Sequence, residues 1–349
     1  MKSGRSYRGA RVPSRVRGQK PVIGITLGDP AGIGPEVALK AVCNPKILAA
    51  ARPVLIGARA VVEHYARRLG FAKRLSFLED LPEAVPPGRI HVLDTAHFAL
   101  KAIPFGKVHP ECGRSALEAI RRGVALARAG RLDALVTGPI HKKSARLAGM
   151  VGAGHTEFIA HLCGVEDVRL MLVSPRLRVI HVSAHVSLRE ALGLVTRERI
   201  LRTIELGVEM LRRLGRERPR VAVAGLNPHA SDAGLFGQEE EMEIAPAVAT
   251  AERAGFRVEG PLPPDTVFLR AARGEFDLVV AMYHDQGHIA AKTLSFEDAV
   301  NVTAGLPIIR TSVDHGTAFD LVGRNKANPR NMKLAILLAC RLARAPIGA

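Results

Sequence analysis

"GITLGDPAGIGPEVALK", residues 24–40, joins an apolar run to a glycine-rich turn and then to a helical pattern. A dinucleotide fingerprint demands that order, with G-x-G-x-x-G at the strand-to-helix turn. The stretch fails the test. Gly32 and Gly34 supply G-x-G, but Val37 stands where the third glycine must be. No G-x-x-x-x-G-K-[ST] phosphate loop is present either. What remains is physical. Gly28 and Gly32 permit a turn of unusual φ. Pro35 suits the first turn of a helix, and Glu36 suits its positive end. The bland reading is a tight strand–helix connection. The functional reading is a loop that approaches a cofactor without Rossmann geometry.

Outward from this stretch the pattern repeats. Apolar runs at 21–28, 53–58, 89–95, 133–139, 168–174, 177–185, 220–229 and 277–285 read as strands. They are continuous rather than alternating, as expected of strands covered on both faces. Between them, 35–49, 58–69, 114–129, 196–214, 238–254 and 331–343 read as helices, with Thr196 as an N-cap. The alternation predicts a layered α/β protein. No linker marks a domain boundary. The expectation is that the middle third forms one lobe and the two chain ends meet in the other.

Composition narrows the function. With 47% hydrophobic residues, the 349-residue chain has enough for a substantial core, and no apolar run is long enough to span a bilayer. The four cysteines, Cys43, Cys112, Cys163 and Cys340, form no C-x-x-C pair and suit a reducing cytoplasm. Residues 1–20 hold seven Lys or Arg and no acid, and read as a disordered basic tail ahead of the folded part at 21–349. The formal charge is +17, and removing the tail's seven leaves +10. Charge alone marks non-specific association. No aromatic-interleaved basic patch or nucleic-acid motif accompanies it, so no specific nucleic-acid or membrane partner is expected; an anionic small substrate is.

Three histidines carry the chemistry. His185, His229 and His284 each follow an apolar run by a few residues. In an open α/β sheet, ligands bind outside the carboxyl ends of strands. Three imidazoles there suit one divalent ion with an open position for Lewis-acid work on a hydroxyl or carbonyl. A single histidine after a strand is usually a loop residue, and His155, His181 and His288 compete for roles. His155 and Thr156 in "GHTEF" sit at a loop-to-helix start that favours anions. Lys292, Asn301 and Arg310 follow the third histidine. Each alone reads as a surface residue; together they suit a carboxylate and a phosphate, with Arg310 shaped for a bidentate grip.

These stretches, with "GDPAGIGPE" (28–36), "TGPI" (137–140), "GLNPHA" (225–230), "DT" (265–266), "AMYHDQG" (281–287) and "VNVTAGLPIIRTSVDHGTAFD" (300–320), give a chain that resembles the 4-hydroxythreonine-4-phosphate dehydrogenase family over roughly residues 21–345. The resemblance implies an isocitrate/isopropylmalate dehydrogenase-like fold of two α/β/α lobes around a cleft, one lobe spanning approximately 140–300. It implies a homodimer whose metal and substrate site is shared across the interface, NAD or NADP as cofactor, and zinc, magnesium or cobalt as the ion. It puts the metal on His185, His229 and His284, and the substrate on His155, Thr156, Lys292, Asn301 and Arg310. The cofactor falls to Gly28, Asp29, Gly32 and Gly34, and to His315, Gly316 and Asn328 in "DHGTAFDLVGRNKANP" (314–329). Lys292 and Asp265 are the candidates for the catalytic base. The implied reaction oxidises 4-hydroxy-L-threonine 4-phosphate at C3 to 2-amino-3-oxo-4-(phosphooxy)butanoate. Decarboxylation then yields 3-amino-2-oxopropyl phosphate, a step towards pyridoxal 5'-phosphate. His141, Ser231 and Asp232 depart from the family pattern, and "YHDQGHI" and "HGTAFD" look closer to a sister branch. That branch resembles the 4-phospho-D-threonate and 4-phospho-D-erythronate dehydrogenases, which act in sugar-acid catabolism.

Overall fold

The structure, a computed structural model, describes residues 19–95 and 103–344. The expected basic tail lies almost wholly outside these residues. In chain order the strands are β1 (Val22–Thr26), β2 (Arg52–Gly57), β3 (Leu75–Leu78), β4 (Ile90–Asp94), β5 (Ala134–Thr137) and β6 (Arg169–Val173). They continue with β7 (Arg178–His181), β8 (Arg220–Ala224), β9 (Arg257–Leu262), β10 (Leu278–Ala281), β11 (Val300–Ala304) and β12 (Arg310–Ser312). All join one mixed sheet in the order β3-β4-β2-β1-β5-β12-β11-β6-β7-β10-β8-β9. From β3 to β12 every pairing is parallel, and so is every pairing from β7 to β9. The antiparallel contacts β12–β11, β11–β6 and β6–β7 lie between.

The apolar runs are continuous because both faces are covered. On β1 and β2, Val22, Val54 and Ile56 pack with Leu117, Ile120 and Val124 of the helix Pro110–Arg128. Ile23, Ile25 and Leu55 face the other way, onto Val37 and Leu39 of the helix Gly34–Val42 and Ile336 of the helix Arg330–Arg344. Alternate residues thus enter two different cores, and neither set is left polar. β5 does the same with Leu135 and Val136.

Several expected boundaries move for local reasons. The expected helix 35–49 is two helices, Gly34–Val42 and Pro45–Ala50, because Pro45 has no N–H to continue the first. Asn44 caps the second, accepting from Lys46 N at 3.0 Å. The helix expected at 114 begins at Pro110, with His109 as N-cap. The 238–254 pattern divides into a π-turn, Glu240–Ile244, and a helix, Ala245–Arg253. Thr196 caps its helix as expected, accepting from Arg199 N. Gly28 takes φ +75°, but Gly32 does not use a positive φ. Its lack of a side chain serves close approach instead, since a Cβ there would lie 2.9 Å from Thr317 Cβ.

Candidate active site

A cavity of about 190 Å³ opens at the carboxyl ends of β5 and β12. Thr137, Gly138, Lys142, His155, Ser312 and His315 are among its walls. Arg310, the first residue of β12, is bonded to the lining residue Thr137 and is only 1% exposed. Its Nε and Nη2 donate to Thr137 Oγ1 at 3.2 and 2.7 Å, and its Nη1 donates to Thr303 Oγ1 at 3.0 Å. Among the described residues no carboxylate is in ion-pair contact with it. Burial depresses its pKa to about 10, so the guanidinium stays charged at neutral pH. His155 is the first residue of the helix His155–Cys163, and its Nε2 is sealed from solvent with no partner. Burial first, then the charges of Arg310 and Lys142, hold this ring well below the usual histidine pKa and therefore neutral.

The other expected substrate residues lie close by. Thr156 is buried beside His155. Asn301 sits opposite Ser312 in the β11–β12 ladder, and its Oδ1 is buried without a partner. Lys292 belongs to the helix His284–Ser295 and pairs with Asp314, two residues past β12, at 3.0 Å. Asp265 is exposed ahead of the helix Val267–Ala272 and makes no hydrogen bond or ion pair among the described residues.

The three expected metal ligands follow β7, β8 and β10, which neighbour one another in the order β7-β10-β8. The structure brings two of them together. The rings of His185 and His284 have centroids 5.9 Å apart. Two imidazoles on one tetrahedral ion, with N–metal bonds of about 2 Å, require roughly 5 Å. Each Nδ1 is held by a carboxylate: Glu157 at 3.0 Å for His185 and Asp285 at 2.6 Å for His284. That leaves both Nε2 atoms for a ligand, the usual arrangement behind a metal-bound histidine. Burial works against the Glu157 carboxylate, but its hydrogen bonds, the one with His185 foremost, outweigh it and lower its pKa. This donor set suits a divalent ion. His229 is not brought to the pair. It opens a run through Ala233 in which five successive non-glycine residues have positive φ, and its ring contact is with Phe236 at 6.4 Å. Among the described residues of one chain, no three His, Cys, Asp or Glu side chains are grouped to hold a metal.

The expected cofactor residues gather from two loops. Ile33 N donates to Thr317 O at 3.0 Å, so the 28–34 turn and the 313–318 segment interlock. A Cβ on Gly34 would stand 2.0 Å from Leu27 O, and one on Gly28 would stand 2.2 Å from Pro139 O. Asp29 Oδ1 accepts from Ala31 N at 2.9 Å, and burial raises its pKa against the pull of that and neighbouring hydrogen bonds. His315 Nδ1 faces Gly316 O at 2.9 Å, leaving a buried, unpartnered Nε2. An unpartnered ring nitrogen on a residue that lines the cavity suits a polar cofactor. Asn328 is exposed and bonds to Arg330 N at the start of the last helix.

Glu157 in "GHTEF", which bonds to His185, and Thr137 in "TGPI", which anchors Arg310, are candidates that no local pattern announces. His181 and His288 are two more. These rings meet at 3.1 Å, and burial lowers them to about 4 and about 2 respectively, so both are neutral.

Residues 49–339 match the family described as "Pyridoxal phosphate biosynthetic protein PdxA". The chain is 46% identical to a D-threonate 4-phosphate dehydrogenase of Cupriavidus necator, over 93% of this chain and 97% of that one. Among solved structures it is similar to a 4-hydroxythreonine-4-phosphate dehydrogenase from Burkholderia phymatum, at 45% identity and TM-score 0.81, covering 93% and 98% of the two chains. It is similar also to one from Klebsiella pneumoniae, at 42% identity and TM-score 0.82, covering 93% and 100%. With the motifs in order along a sheet of the same fold, the chain belongs to the PdxA family and is a dehydrogenase acting on a CH–OH group.

Proposed function

We propose that the protein oxidises the C3 hydroxyl of a C4-phosphorylated four-carbon acid, with D-threonate 4-phosphate as its preferred substrate. Arg310 carries the substrate class. A buried guanidinium whose hydrogen bonds go only to neutral hydroxyls is costly unless an anion completes its shell. The relative from Cupriavidus necator, named for the hydroxy acid, favours that choice. The solved relatives named for 4-hydroxythreonine 4-phosphate favour the second reading, in which the keto acid decarboxylates to 3-amino-2-oxopropyl phosphate.

In this reading Arg310, His155, Thr156 and Asn301 orient the phosphate and carboxylate ends and present C3 to the cofactor. Gly28, Asp29, Gly32, Gly34, His315, Gly316 and Asn328 hold NAD or NADP. Lys292 takes the hydroxyl proton as the neutral amine, after its ammonium has given a proton to solvent and its pairing with Asp314 has given way; exposed Asp265 is the alternative base. His185, His284 and His229 would hold a divalent zinc, magnesium or cobalt ion, which would supply Lewis acidity to the C3 hydroxyl. His229 arrives across a homodimer interface. Support for that interface is the set of exposed apolar side chains, Leu188, Leu235, Phe236, Ile289 and Phe296, on the segments that carry the three histidines. The cleft lies between a lobe built from both chain ends and a lobe of approximately residues 140–300. The strand order supports this, since β11, β6, β7, β10, β8 and β9 occupy one side of β12. The enzyme works in the cytoplasm.

A substrate panel followed by NADH and NADPH absorbance at fixed metal tests the reading. We expect kcat/KM for D-threonate 4-phosphate to exceed that for 4-hydroxy-L-threonine 4-phosphate by at least about tenfold, about 1.4 kcal/mol. Unphosphorylated acids should turn over far more slowly. The reverse order transfers the assignment to the second reading, and no phosphate requirement defeats both.

A further inference from the structure

Two buried histidines stand behind the cleft pair. His181 ends β7 and is 1% exposed; His288 lies one helical turn after His284 and is 7% exposed. His181 Nδ1 is 3.0 Å from the Leu170 carbonyl oxygen, which only accepts. Nδ1 therefore carries the proton, and in the neutral ring Nε2 keeps its lone pair. His288 Nδ1 lies 3.1 Å from that Nε2 and 3.2 Å from the His284 carbonyl oxygen. Both are acceptors, so His288 donates from Nδ1. Its tautomer and ring plane are thus fixed by two partners. Gly287 makes room for the contact, since a Cβ there would stand 2.5 Å from His181 Nε2. The ring held in this way stacks on His284, with centroids 3.7 Å apart and planes 13° from parallel.

We propose that His181 and His288 are positioning residues for His284. The chain from Leu170 through His181 to His288 presents a fixed flat face, and His284 lies against it. Asp285 holds the Nδ1 of the same ring, so its Nε2 points one way before any ion arrives. This rests on the reading of His284 as a metal ligand. Without the stacked ring, a half-exposed side chain in the first turn of its helix has rotamers to lose on binding. Groups that orient a metal-bound imidazole typically contribute about 10–100-fold in metal affinity.

The test is Co²⁺ affinity of the purified full-length protein by chelator competition, together with the visible spectrum of the Co²⁺ form and the melting temperature of the metal-free form. His288→Leu should weaken binding by about 10–100-fold and shift the Co²⁺ bands. His288→Phe keeps a flat ring but not the donor that fixes its plane on His181, and should recover only part of the affinity. His288→Asn keeps a donor to His181 without the ring and should not. If Leu fails to fold, the comparison of Phe with Asn decides, and equal affinity in those two overturns the proposal. His284→Ala separates the two levels. Undiminished metal binding there removes His284 as a ligand. Loss there, with wild-type affinity in all His288 variants, overturns the positioning role alone.

Discussion

Arg310 concentrates the physics of the site in one residue. Its charge is buried, its hydrogen bonds go to Thr137 and Thr303, and Thr137 lines the same cavity as His155, whose Nε2 is unpartnered. Replacing a buried charge by an apolar side chain of similar length is often neutral or stabilising to the fold, whereas losing a charge-assisted contact to an anion is not neutral for binding. Arg310→Met should therefore hold or raise the melting temperature. Its kcat/KM on the phosphorylated substrate should fall by about 10²–10³-fold, about 3–4 kcal/mol. Unchanged KM and kcat would remove the anion-binding role. Arg310 and His155 could be singled out as candidates in the sequence because their residue types suit anion binding. Thr137 and Thr303 could not. A threonine becomes an arginine's partner only through the β5–β12–β11 ordering, and no local pattern encodes that ordering.

At the scale of elements, the opening turn works by proximity. Gly32 lies against Thr317, and Ile33 is bonded to Thr317 O, so the two loops proposed to hold the cofactor are one unit. Gly32→Ala would push the 313–318 segment outward by a few tenths of an ångström or more. We expect KM for the nicotinamide cofactor to rise about tenfold, about 1.4 kcal/mol, with KM for the phosphorylated substrate changed much less. Equal effects on both would mean the loops do not act on the cofactor. Strands such as β1, β5 and β6 were legible because two buried faces write an unbroken apolar run. β3, β9, β11 and the three-residue β12 were not. "RTS" has neither run nor alternation, and only β5 and β11 on either side make it a strand. The short helices Lys142–Leu147 and Leu188–Gly193 likewise span too few turns to show a period.

At the scale of the whole molecule, the twelve-stranded sheet sets three parallel strands side by side, and a histidine follows each of them. The strand ends were legible because the apolar runs stop there. The grouping was not, because it depends on loop conformation and, in our reading, on a second copy of the chain. One protomer pairs His185 with His284, while His229 stands in a left-handed turn beside Phe236. The account turns on whether His229 completes that pair in the assembled enzyme. The direct measurement is metal per subunit and turnover of His229→Ala, purified alongside the unaltered protein and shown to have the same oligomeric state. The account predicts loss of most of the bound metal and a fall in turnover of about 10³-fold or more, about 4 kcal/mol. Full metal occupancy with full turnover would contradict it.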